Sequence, residues 1–186
     1  SEMCIRDRYI STHTPNWLWL STAIRSIDHA IEGFCSKLKN PLIDHNALES
    51  LRIFSNSLRE TKDDCYNIEA RSQSQKAVWM IAKNMGNVTM GASHGIGYLL
   101  GSIGSVPHGQ TSCVMLPAVL KWNEDFHPEK DKMIANALGR PKLKAYEAVK
   151  ELIIDLGLPH CLQDVGIGRD KYEKIVKYAL EPVSYT

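Results

Sequence analysis

Apolar residues recur at three- and four-residue steps along most of this chain. Between Leu18 and Phe34, the stripe Ile24, Ile27, Ile31 and Phe34 marks one helix face, and Pro15 stands near the start, where a missing N–H does no harm. That spacing predicts a first helix. From Asp44, a good N-cap residue, Leu48, Leu51, Phe54 and Leu58 predict a second, separated from the first by Asn40-Pro41. Ile68, Ala77, Met80 and Ile81 carry a third from about Asp64 to Met85, ending among Gly86, Asn87 and Gly91.

The stretch from Ser93 to Gly109 is glycine-rich and reads as the least regular region, the kind of segment that often carries function. Helical periodicity resumes over Thr111 to Asn123, then over Pro128 to Leu138 with Gly139 after it. Ala145, Val149, Leu152, Ile153 and Leu156, ended by Gly157, give a further helix, and a last one runs from about Asp170 to Leu180. No run of alternating β-branched residues bounded by turns appears, so the predicted fold class is all-α.

Composition narrows the function classes. Lys plus Arg total 22 against 21 Asp plus Glu, so no field is available to hold a phosphate backbone, and nucleic acid is excluded as a partner. The five cysteines are scattered without a C-x-x-C pair, which argues against a disulfide framework or thiolate zinc site and fits a reducing cytoplasm. No apolar run approaches the roughly 20 residues of a membrane span. Residues 1–10 and 181–186 match no neighbouring element and read as a non-native leader and tail, leaving one helical domain over residues 11–180.

Arg25 and His29 lie within about 40° of each other on the predicted first helix, across from its apolar stripe. They form either a solvated polar face or one wall of a site. Asp28, beside His29, points about 100° away from it. His94, within Gly91-Ala92-Ser93-His94-Gly95-Ile96-Gly97-Tyr98, and His108, within Pro107-His108-Gly109, stand among small residues that let backbones approach closely. Each histidine alone reads more readily as a hydrogen-bonded core residue than as a ligand; three on separate elements make a nitrogen set for a divalent metal such as iron or zinc. Tyr98 offers a phenol with a reference pKa of about 10, a hydrogen-bond donor rather than a base, or else an aromatic that packs a cleft wall.

Gly91-Ala92-Ser93-His94-Gly95 also satisfies G-x-S-x-G. With Asp125 or Asp164 and His127 or His160 it would make Ser93 the nucleophile of a serine hydrolase, but that elbow needs a preceding strand and the residues before it read as helix. Gly95, Gly97 and Gly101 nearly spell a dinucleotide fingerprint, one residue too long at the last step and without a strand before it.

Leu18-Trp19-Leu20-Ser21-Thr22-Ala23-Ile24-Arg25-Ser26-Ile27-Asp28-His29-Ala30-Ile31-Glu32 resembles the first helix of the C-terminal domain of iron-containing (group III) alcohol dehydrogenases. Ser93-His94-Gly95-Ile96-Gly97, Pro107-His108-Gly109, Leu116-Pro117-Ala118-Val119 and Asp164-Val165-Gly166 resemble its later motifs, so the likeness runs from about His13 to Leu180. The resemblance implies the multi-helix bundle that forms the C-terminal domain of dehydroquinate synthase-like and iron-containing alcohol dehydrogenases. It also implies a separate N-terminal dinucleotide-binding domain as partner, NAD(P)H as cofactor, a small alcohol, carbonyl or keto-acid substrate, and room for a homodimer. His29, His94 and His108 match the family's metal-holding histidines.

Position 25 departs from that pattern. Metal-dependent members place an aspartate there, and a guanidinium about 6 Å from a doubly charged ion costs roughly 5 kcal/mol at an effective dielectric of about 20. The maleylacetate reductase branch also lacks the aspartate and reduces an anionic keto-diacid, and at this position the chain resembles that branch. The resemblance therefore implies that Arg25 binds a substrate carboxylate, that His29, His94, His108 and Tyr98 serve the carbonyl chemistry, and that without the dinucleotide-binding half the chain is a helical module with no turnover of its own.

Overall fold

In a computed structural model, residues 8–38, 40–83 and 85–180 are described. They fold into eight α-helices of nine residues or more: α1 (Asn16–Cys35), α2 (Pro41–Asp63), α3 (Ile68–Ala82), α4 (Ala92–Gly104), α5 (His108–Trp122), α6 (Pro128–Ala137), α7 (Ala145–Asp155) and α8 (Tyr172–Leu180). No strand occurs among the described residues, and the all-α expectation holds. Most of the proposed leader and all of the proposed tail lie outside the described residues; residues 8–10 are helical.

Helix α1 is the central post, packed against α2 on one side and α5 on the other. Its predicted stripe is its buried face: Ile24, Ile27, Ile31 and Phe34 are at most 2% exposed and meet Leu51, Phe54 and Leu58 of α2 and Leu116 of α5 in the main core. Each such side chain contributes about 1.5–3 kcal/mol on full burial. A smaller cluster of Leu100, Val106, Ile167 and Ile175 ties α4 to α8.

Local signals set most helix ends. Helix α2 starts three residues before the expected Asp44 cap, because Asn40 Oδ1 accepts from the amides of Leu42 and Ile43 at 3.0 Å and Pro41 opens the first turn. Asn67 caps α3 in the same way through the amide of Ala70. Gly139 and Gly157 adopt left-handed φ values of 73° and 70° after α6 and α7, as C-terminal glycines do.

The clear departure is residues 92–104, expected to be irregular and found as helix α4. Four glycines lower its intrinsic propensity, so tertiary contacts must hold it. Gly104 shows one: a Cβ there would fall 2.1 Å from Ile167 Cδ1, within the small cluster. Gly109 on α5 shows the closest helix approach, since a Cβ would fall 2.6 Å from the backbone carbon of Ser21 on α1.

Candidate active site

The chemistry-bearing side chains gather where α1, the start of α4 and the first turns of α5 meet. Gly91, the N-cap of α4, has no side chain to satisfy the free amides of the first turn. Glu32 of α1 does it instead: its carboxylate accepts from the amide of Gly91 at 2.6 Å and that of Ser93 at 2.8 Å. The same carboxylate lies 2.7 Å from His94 Nδ1. Burial works to raise the Glu32 pKa, but the hydrogen bonds from His94, Gly91 and Ser93 carry it below the ordinary value. An ionised carboxylate only accepts, so Nδ1 is the donor and the imidazole is fixed with Nε2 turned the other way.

Asp28 is fully buried one turn before Glu32. Its Oδ2 accepts from Ser93 Oγ at 2.8 Å and Ser112 Oγ at 2.6 Å and lies 3.5 Å from His94 Nδ1. Burial, with the charge of Glu32, pushes its carboxyl up to about 6, against the lowering effects of His94 and the two serine hydroxyls. The sequence places Asp28 away from His29; the structure agrees on direction and shows what that direction reaches, namely His94. Glu32 and Ser112 are the site residues that sequence reasoning missed, while Asp28 was read as pointing away and Ser93 as a hydrolase nucleophile. The available signal was a pair of acidic residues one turn apart on an otherwise apolar stretch of α1.

His29 Nδ1 lies 2.8 Å from the carbonyl oxygen of Arg25 and donates to it, leaving Nε2 free. Its ring meets that of His94 edge-on, with centroids 4.3 Å apart and planes at 66°. Burial first, and the charge of His94 second, push His29 down to about 4, so it is neutral near neutral pH. The half-buried Arg25 donates from Nη1 to Ser112 Oγ at 3.1 Å, and burial lowers its pKa despite the opposing charges of Asp28 and Glu32. His108 is the exposed first residue of α5; its Cε1 would stand 3.8 Å from a Cβ on Gly101. Tyr98 is 66% exposed, one turn beyond His94 on α4.

Among the described residues, the side chains able to converge on a cation are Asp28, Glu32 and His94, a set that includes neither His29 nor His108. Both Glu32 oxygens are engaged by amides and Asp28 Oδ2 by hydroxyls. On the other side of the ring, the buried His94 Nε2 has no hydrogen-bond partner and is a ligand-ready nitrogen. Position 25, where the resemblance implies a carboxylate ligand, carries a guanidinium in this chain. With Arg25 where it stands, the donors present do not fit a divalent cation.

Ser93 is buried in the first turn of α4 and donates to Asp28, with no strand before it among the described residues. The hydrolase reading therefore lacks both its elbow and its base. His160 and Asp164 do pair, at 3.3 Å, but on the surface. Burial pushes the Cys113 thiol up to about 12, leaving it a packing residue.

Residues 20–185 match the Fe-containing alcohol dehydrogenase family, C-terminal. This chain belongs to that family. It is 28% identical over 186 residues to a 1,3-propanediol dehydrogenase of Klebsiella pneumoniae, covering 95% of this chain and 48% of the relative. It is also 28% identical over 177 residues to a maleylacetate reductase of Pseudomonas knackmussii, covering 95% and 50%. The crystal structure of maleylacetate reductase from Rhizobium sp. strain MTP-10005 superposes with a TM-score of 0.88 at 21% identity over 96% of this chain and 50% of that one, a likeness of fold. The chain thus spans about half the length of the curated relatives it matches. No described helix is long and apolar enough to cross a membrane.

Proposed function

We propose that this chain is the helical, substrate-activating half of an NAD(P)-dependent oxidoreductase, interconverting an alcohol and a carbonyl, with Arg25 selecting a substrate that carries a carboxylate, as a maleylacetate-like keto acid does. The observation that carries the reading is Arg25 itself, a half-buried guanidinium one turn before the half-buried His29 and anchored by Ser112, with the buried His94 ring against that of His29. Its planar fork suits two-point recognition of a carboxylate.

The nicotinamide, bound mainly by a dinucleotide-binding half outside this chain, supplies or accepts the hydride. This chain's residues handle the proton and the orientation. His94 holds the mobile proton at Nε2: it takes the hydroxyl proton when an alcohol is oxidised and returns it to the carbonyl oxygen in reduction, while Glu32 keeps the ring from turning. His29 stays neutral beside it and limits water at the inner edge. Tyr98 and His108, both exposed, stand as donors at the rim, facing what the other half brings.

The half-length match to relatives favours a second reading for the isolated chain: a helical module without turnover of its own. The first is tested in the whole protein, and the second in this chain alone, by following nicotinamide absorbance with a keto-diacid and with an uncharged aldehyde. Arg25→Gln is expected to raise KM for the diacid at least about tenfold and leave the aldehyde unchanged. Equal effects on both substrates, or no turnover of either by the wild type, would overturn the assignment.

A further inference from the structure

Arg25 sits at the end of a flexible side chain, and a guanidinium recognises a carboxylate well only when its plane is fixed. The polar groups around it are arranged in a line. Arg25 Nη1 donates to Ser112 Oγ at 3.1 Å, and Ser112 Oγ donates in turn to Asp28 Oδ2 at 2.6 Å. Ser112 and Asp28 are both 0% exposed, so this acceptor chain is held by the core rather than by solvent. Asp28 is fixed again by Ser93, and its Oδ1 is buried without a hydrogen-bond partner, which leaves the carboxylate dependent on nearby cations for compensation. Gly97 leaves room for that same edge to seat: a Cβ there would approach Arg25 Nη1 to 3.6 Å and crowd Thr111 Oγ1 at 3.1 Å.

We propose that Asp28 is the positioning residue of Arg25, acting through the Ser112 hydroxyl. Arg25 and Asp28 are three residues apart on one helix, with a serine of α5 completing the link. Nη1 is thereby committed to the protein, and the opposite edge of the guanidinium is left to a ligand carboxylate. The pairing also explains how a cation is tolerated at this position: the buried anion beside it is its counter-charge. This assignment rests on reading Arg25 as the carboxylate receptor, and it predicts more than that reading, because neither Asp28 nor Ser112 would touch the substrate.

The test uses the whole protein with maleate as the probe, measured by titration calorimetry, and nitrogen NMR of the Arg25 guanidinium. Ser112→Ala is expected to weaken maleate binding about tenfold, as loss of one charge-assisted hydrogen bond does, whereas Ser112→Thr, which restores a hydroxyl, stays within about threefold of wild type. Asp28→Asn is expected to weaken binding severalfold. That result is diagnostic, since Coulomb's law alone predicts that removing an anion tightens maleate. In both weakening variants the separate Nη signals of a guanidinium with arrested rotation should merge; thermal melts of Ser112→Thr and Ser112→Ala distinguish lost positioning from lost fold. If Arg25→Gln leaves maleate binding unchanged, the receptor reading fails and the NMR result alone decides the positioning role. If Arg25→Gln abolishes binding while Ser112→Ala and Asp28→Asn bind as wild type with separate Nη signals, the receptor reading stands and this inference falls.

Discussion

Replacing Asp28 with asparagine keeps an oxygen that can accept from Ser93 and Ser112 and removes the charge. Burial is the largest influence holding the Asp28 carboxyl at about 6, against an ordinary 3.8. The folded protein therefore binds this proton more tightly than the unfolded chain does. The stabilisation from protonated Asp28 is complete below the unfolded value and is lost as pH rises through the folded one. A displacement of about two units corresponds to about 3 kcal/mol. His29 runs the opposite way: its folded value is about 4 against 6.5, so its contribution is present above the unfolded value and lost as pH falls toward the folded one. In the wild type the two slopes oppose each other between the two folded values and nearly cancel. In Asp28→Asn only the His29 slope remains. Urea unfolding followed by circular dichroism, from about pH 4 to about pH 7, should show stability rising by about 3 kcal/mol more in the variant than in the wild type. Groups remote from Asp28 are common to both proteins and drop out of the difference, whereas Glu32 and His94, whose charges act on Asp28, are followed in both proteins by NMR titration. Parallel stability curves would refute the buried, proton-retaining Asp28 described here.

Two further perturbations probe the frame and the chemistry. Gly109→Ala places a Cβ 2.6 Å from Ser21 backbone, which cannot swing aside, so α5 must move off α1; a loss of about 1–3 kcal/mol in chemical denaturation is expected, and an unchanged midpoint would contradict the close helix approach. Arg25→Asp removes a repulsion of roughly 5 kcal/mol against a divalent ion and should raise iron or zinc affinity by about four decades in equilibrium dialysis, whereas metal content equal to wild type would show that position 25 does not govern the site.

The helices were legible because their apolar stripes are long and regular; Ile24, Ile27, Ile31 and Phe34 declare the buried face of α1 without any knowledge of partners. Helix α4 was not, because its glycines argue against a helix locally and its capping group comes from Glu32, more than fifty residues earlier. Of the residues singled out in sequence, Arg25, His29 and His94 share one neighbourhood, while His108 and Tyr98 are exposed at its edge. Asp28 and Glu32 were not assigned to the site for a physical reason. On a helical wheel Asp28 falls between the apolar stripe and the face of Arg25 and His29, and Glu32 falls on that polar face beside Arg25, where an acid reads as solvated; only the arrival of α4 and α5 turns these positions into an interior.

The borrowed cap has a consequence for assembly. A short, glycine-rich segment whose first amides are satisfied only by a carboxylate on another helix has little reason to coil before that helix is in place. Helices α1 and α2 can form and collapse on their own stripes, but α4 must wait for Glu32, and the hydrogen bonds that complete α4 are the ones that orient His94. In this chain the ring is aimed by the same late event that closes the bundle, so a molecule that has not finished folding has no oriented imidazole to offer.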